Sequence, residues 1–156
     1  MLRYILISFA SFGLLSQATS ADPMLITPLT IVSGETSHDF TVEVADDPEE
    51  TALGLMFRET LDEDKGMLFD FGVPRVPSMF MKNTLIPLDM LFVDTEGEII
   101  MIARNTVPGS LRTISPPVPV KGVLEINGGQ AAALGISPGD RIEHPVFGDA
   151  ASDSSE

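Results

Sequence analysis

Phe40-Thr41-Val42-Glu43-Val44 alternates apolar with polar side chains, the period of a half-buried strand. Further strand-like runs are Met67-Leu68-Phe69-Asp70-Phe71, Met79–Lys82, Leu88–Val93, Glu98–Ala103, Gly122–Ile126 and Arg141–Glu143. Asp94-Thr95-Glu96-Gly97 joins Leu88–Val93 to Glu98–Ala103 as a hairpin turn, with Gly97 free to take positive φ. Helical signals are few. Asp47-Pro48-Glu49-Glu50 places a capping side chain, a proline suited to the first helical position and a capping-box acid in order. Leu53 and Met56 then share a face, and this helix is expected to end near Arg58. The Ala-rich stretch Gly128–Leu134 predicts one or two helical turns stopped by Gly135. The pattern predicts a mainly β fold: a compact antiparallel sandwich- or barrel-like domain with one or two short helices.

The two ends read differently. Arg3 precedes an uncharged apolar run, Tyr4–Leu15, and Ala18-Thr19-Ser20-Ala21 supplies the small residues of a cleavage site. The run falls short of the ~20 apolar residues that span a bilayer. Residues 1–21 are therefore expected to be a cleaved signal peptide, leaving no stable membrane anchor and a periplasmic or secreted bacterial protein. Residues 22–37, with Pro23 and Pro28, read as an extended arm, 38–148 as a single β-rich domain, and 149–156 as a disordered acidic tail. Asp62–Lys65 is a charged turn. Asn105–Pro119, with five Pro and Gly residues, is a long ordered loop, since proline cannot donate to a central ladder.

Charge and composition remove several classes of function. The chain has 9 basic and 23 acidic residues, for a net charge of −14, and loss of Arg3 with the signal takes this to −15. Such a field repels phosphate backbones, which argues against nucleic-acid binding. With no cysteine there is no disulfide, thiol nucleophile or thiolate metal site.

The informative positions are polar residues inside apolar strands. In Leu88–Val93, Leu88, Met90 and Phe92 share one face while Asp89, Leu91 and Val93 share the other. Both faces are apolar, so the strand is expected to be central and covered on both sides. Asp89 then needs a cationic or hydrogen-bonding partner. Glu125 poses the same problem beside Val123. Arg58, Lys82, Asn83, Asp89 and Glu125 are the candidate ligand-binding residues, expected as one polar cluster at an end of the β core. In a pocket, Lys82 or Arg58 would grip an anionic group and the carboxylates would orient it. In a scaffold, the same groups would pair with one another to tie strands together.

Gly54-Leu55-Met56-Phe57-Arg58, Gly66–Phe71, Met81-Lys82-Asn83-Thr84-Leu85-Ile86-Pro87-Leu88-Asp89, Val123-Leu124-Glu125 and Gly139-Asp140 occur in this order. The chain thereby resembles the domain of unknown function 192 (DUF192) family over roughly Phe40 to Phe147. The resemblance implies a compact, mostly β domain with one or two short helices, often exported in bacteria, and implies no activity. Members usually carry an aromatic pair before the position of Met81, where this chain has Met79-Phe80.

Catalytic and metal chemistry find little support. The only histidines, His38 and His144, adjoin no nucleophile motif. Asp89 and Glu125 would suit a two-carboxylate mechanism only at a set separation. Asp62, Glu63 and Asp64 lack EF-hand spacing, and Met79 and Met81 read as core filler rather than a Cu(I) site, so no metal or cofactor is expected. The expectation is a monomeric, non-enzymatic binding or accessory domain for a small molecule or another exported protein. The alternatives are an enzyme using Asp89 and Glu125, or a structural or interaction module.

Overall fold

The computed structural model describes residues 23–148. The expected signal peptide and acidic tail lie outside the described residues. In chain order the elements are β1 (Leu25–Ser33), β2 (Thr36–Ala45), α1 (Pro48–Leu53), β3 (Lys65–Arg75), β4 (Leu88–Val93), β5 (Ile99–Ala103), β6 (Val120–Asn127), α2 (Gln130–Ala133) and β7 (Arg141–Glu143), followed by a 3-10 turn at Pro145–Phe147. The fold is mainly β: one seven-stranded curled sheet in the order β5-β4-β6-β3-β2-β1-β7. No helix among the described residues is long and apolar enough to cross a membrane.

Every pairing is antiparallel except β2 with β3, which run parallel. This one pairing departs from the antiparallel rule of the rest because the link from Ala45 to Lys65, with α1 inside it, is long enough to return the chain to the starting end of the sheet. Asp47 caps α1 as its sequence predicts, its carboxylate accepting from the N–H groups of Glu49 and Glu50 at 2.7 and 2.8 Å. Glu50 reaches back to the Asp46 N–H at 3.2 Å. The helix stops at Leu53 rather than near Arg58, because Gly54 takes φ +50° and returns its N–H to the Glu50 carbonyl.

Residues Leu25–Ser33, expected within an arm, form a strand paired with β2 along its whole length and with β7 at Thr30–Val32. Leu29 and Ile31 are buried and drive this docking. Pro28 is tolerated because β7 does not reach it. Met79–Lys82 is not a ladder strand. Met79 makes a single bridge to Ile114, and Met81 donates to the Ser110 carbonyl, so the segment pairs with the Pro-rich loop instead.

The sheet's two edges meet. Glu98 bridges Arg141, and the Ile99 and Ile142 N–H groups donate to Asp140 and Gly97 carbonyls at 2.9 and 2.7 Å. All seven strands contribute to a core inside the curl, including Ile31, Val42, Leu68, Leu91, Ile99, Leu124 and Ile142. The opposite face of β3, β4 and β6 builds a second core from Met67, Phe69, Leu88, Met90, Phe92 and Val123, covered by Leu55 and Met81. β4 is therefore buried at every position.

Gly97 sits at the seam with φ +88°, and a Cβ there would lie 2.4 Å from the Ile142 carbonyl oxygen. Gly97→Ala is expected to cost at least about 1–3 kcal/mol from backbone strain. The check is the urea midpoint. A midpoint equal to that of the parent would show that the seam does not hold the curl closed.

Candidate functional site

The face of the second core carries a row of residues across the sheet. Glu43 on β2 pairs with Met67 on β3, Met67 with Glu125 on β6, and Glu125 with Met90 on β4. Neighbouring strands lie about 4.8 Å apart, which sets Glu43 and Glu125 roughly 10 Å from each other across Met67.

The two carboxylates of this row have different surroundings. The turns after α1 carry Arg58 back over β2, where its guanidinium donates two hydrogen bonds to Glu43 at 2.5 and 2.6 Å. These bonds hold the Glu43 carboxyl below its usual range and raise Arg58, against an opposing effect of partial burial. Glu125 is only 4% exposed. Among the described residues no cation or hydrogen-bond donor reaches it. Desolvation pushes its pKa up from 4.5 to about 8, so the carboxyl is neutral at pH 7.

Glu125 lines a cavity of about 250 Å³. Its walls come from α1 and the following turn (Thr51–Met56), from Phe69, from Ser78-Met79-Phe80 and from Thr84, with Lys82 also lining it. A second groove shares Thr51, Ala52, Phe69, Ser78 and Met79 and continues to Phe71 and Arg75. There the Arg75 guanidinium lies 4.2 Å from the Phe71 ring centre. Leu53 and Phe80 line the cavity yet remain about half exposed, at 50% and 45%.

Of the five sequence candidates, Lys82 and Glu125 share this cavity. Asn83 shapes its wall: in the left-handed region at φ +55°, it accepts the Phe57 N–H on its carbonyl at 2.8 Å and ties the turn after α1 to the turn after Met81. Arg58 is committed to Glu43. Asp89 lies elsewhere. Its β4 position pairs with Ile126 while its neighbour Met90 pairs with Glu125, so Asp89 and Glu125 point to opposite faces of the sheet. Asp89 is fully buried and accepts three backbone N–H groups, from Asn105 at 2.7 Å, Gly129 at 3.0 Å and Ala131 at 2.9 Å. It thereby caps α2 from another strand and fixes the start of the long loop. The expected single cluster is thus split, and a joint mechanism for Asp89 and Glu125 has no shared cleft.

Sequence reasoning missed Glu43 as the partner of Arg58. Its signal was present, since Glu43 faces away from Val42 and Val44. It also missed Thr106, a buried hydroxyl bonded to both backbone groups of Leu88. His144 does meet a hydroxyl, with Nε2 2.8 Å from Thr27 Oγ1. Its Nδ1 accepts the Val146 N–H, so the proton sits on Nε2 and is donated to Thr27. That tautomer cannot act as a base toward the hydroxyl. Burial lowers the His144 pKa, partly offset by Asp70. Among the described residues no group of three His, Asp or Glu side chains is placed to hold a metal ion.

The DUF192 family model, "Uncharacterized ACR", matches residues 29–144. The chain belongs to this family. Two solved structures are similar to it. A Sinorhizobium meliloti 1021 protein described as a "putative transcription regulator" shares 43% identity at a TM-score of 0.79, over 81% of this chain and 99% of its own. A protein of unknown function from Novosphingobium aromaticivorans DSM 12444 shares 42% identity at a TM-score of 0.74, over 76% of this chain and 85% of its own. The comparison with curated proteins returns no match. The family's Met81–Asp89 run divides between two tasks here, with Lys82 lining the cavity and Asp89 organising the far face.

Two predictions separate these roles. Asp89→Asn replaces an acceptor oxygen with an NH₂ facing backbone donors, and should destabilise the fold by about 1–3 kcal/mol per orphaned N–H. Circular dichroism with urea titration reads the loss, and the Glu125 cavity should be unaffected. Glu125→Gln tests the neutral carboxyl. In the unfolded chain Glu125 ionises near 4.5, in the folded chain near 8. Between these values the folded state binds more protons, so its stability falls as pH rises, by up to about 1.4 kcal/mol per pH unit, and levels off above pH 8. Glu125→Gln should remove that slope, and an unchanged slope would assign the titration to another group.

Proposed function

We propose that this DUF192 protein is an exported, non-enzymatic binding protein that holds a small molecule over Glu125. One observation carries the reading: a buried carboxyl with no partner in the protein lines a cavity. Its oxygens are not sealed off, as His38 Nε2 and Gln130 Oε1 are, so a ligand or water in the cavity can supply the hydrogen bond that the protein does not. The cavity mixes apolar walls with the polar side chains of Thr51, Ser78, Lys82, Thr84 and Glu125, groups able to orient a ligand. Lys82 offers a charge for an anionic group of the ligand. Asn83 supports the site through the Phe57 turn, while Asp89 organises the opposite face and Arg58 is taken up by Glu43.

Export rests on the Arg3, Tyr4–Leu15 and Ala18–Ala21 pattern. The regulator description of the S. meliloti relative is not carried over as DNA binding, because a net charge of −14 opposes a phosphate backbone.

Native mass spectrometry of the protein purified from its own periplasmic or secreted fraction tests both parts. The expected species is a monomer beginning at Ala21 or Asp22 with a reproducible added mass that Glu125→Gln loses. A bare mass in every preparation overturns the ligand reading, and an intact Met1 in the cell interior overturns export.

A further inference from the structure

We infer that the ligand is a small organic ammonium compound, its ammonium seated against Glu125 and an anionic group at its other end held by Lys82. The inference rests on reading the Glu125 cavity as a ligand site and names what fills it.

Each other carboxylate built into the body of the sheet has a counter-group. Glu43 has Arg58, and Asp70 has Lys121 at 2.7 Å. Asp89 has three N–H donors. Glu43 also borders a groove, but with Arg58 paired to it, whereas Glu125 borders its cavity with neither a cation nor a donor among the described residues. The missing counter-group is therefore expected from outside the chain.

Phe69, Phe80, Met56 and Met79 contribute aromatic rings and polarisable thioethers to the lining. Ring faces attract a desolvated cation. A hard metal ion wants six or more oxygen ligands, and a single carboxylate with scattered hydroxyls does not provide them. The protein's net charge of −14 also concentrates cations at its surface.

Lys82 lines the same cavity. It is exposed and makes no ion pair among the described residues, although the chain is rich in carboxylates. Beside a simple amine it would only repel. Beside an aminocarboxylate it pairs with the carboxylate while Glu125 takes the ammonium. Few of the charged groups on the elements around Glu125 line its cavity. Glu49 and Glu50 of α1 and Glu59, Asp62, Glu63 and Asp64 after it do not line the cavity, Arg58 is paired with Glu43, the 79–84 segment offers Lys82, and the flanking strand positions are Met67 and Met90.

Binding then has a proton signature. Glu125 is protonated at neutral pH and must ionise to face an ammonium, so its proton leaves to solvent as the ligand enters. The test is isothermal titration calorimetry of the mature protein with γ-aminobutyrate, n-butylamine, butyrate and butyramide, in buffers of different ionisation heat. γ-Aminobutyrate and n-butylamine should bind with release of about one proton at pH 6.5 and almost none at pH 9.5, and with affinity rising about tenfold per pH unit until pH approaches 8. Glu125→Gln should weaken both at least about 100-fold while leaving the fold intact by circular dichroism. Lys82→Ala should bring γ-aminobutyrate down to the affinity of n-butylamine and leave the amine unchanged or tighter.

Tighter binding of butyramide or butyrate, without proton release, would overturn the inference and leave the cavity a site for a neutral or anionic ligand. No binding by any of the four, with a native added mass still lost in Glu125→Gln, would also overturn it while sparing the proposed function. No binding and no added mass would end both.

Discussion

Strand β4 has no solvent face, β6 beside it is buried through its centre, and the first half of β3 beyond β6 is buried as well. Any carboxylate placed there must be neutralised, hydrogen-bonded or left protonated, because an isolated charge away from water is prohibitively costly. The rest of the molecule is arranged around two such groups, one on each face. Asp89 faces the interior of the curl and Glu125 faces the second core.

On the inner face the solution is structural. The three N–H groups that Asp89 accepts belong to the long loop after β5 and to the entry of α2, which are far apart in sequence. One carboxylate thus fastens two irregular segments to a central strand. A four-residue helix such as α2 has little stability of its own, and its capping from β4 is part of what keeps it. On the outer face Arg58 and Glu43 solve the problem in the ordinary way, two strands from Glu125. Glu125 is left neutral, and the segments that cover its face part above it to leave a cavity.

The same geometry explains why these residues do not act as one cluster. Side chains alternate across a strand, so a one-residue offset in pairing exchanges the faces. Asp89 stands opposite Ile126 and Met90 opposite Glu125, and that offset puts the full thickness of the sheet between the two carboxyls. The family motif therefore spans both faces: its Lys82 end borders the cavity, and its Asp89 end closes the scaffold beneath.

The sequence by itself determined the strands from their period of two, the start of α1 from Asp47 and Pro48, the hairpin at Asp94–Gly97, and the two-sided burial of Leu88–Val93 with a carboxylate inside it. These are local properties, written in neighbouring side chains. Tertiary structure alone decided that Leu25–Ser33 is a strand, since its pairing partners are β2 and β7. It also decided that β2 and β3 run parallel, and that Met79–Lys82 pairs with a loop. Above all, it decided what each buried carboxylate meets. Alternation assigns a residue to a face but says nothing of what covers that face. The partners of Asp89 lie 16 to 42 residues away, and the open space beside Glu125 depends on how α1 and the 79–84 segment pack over the sheet.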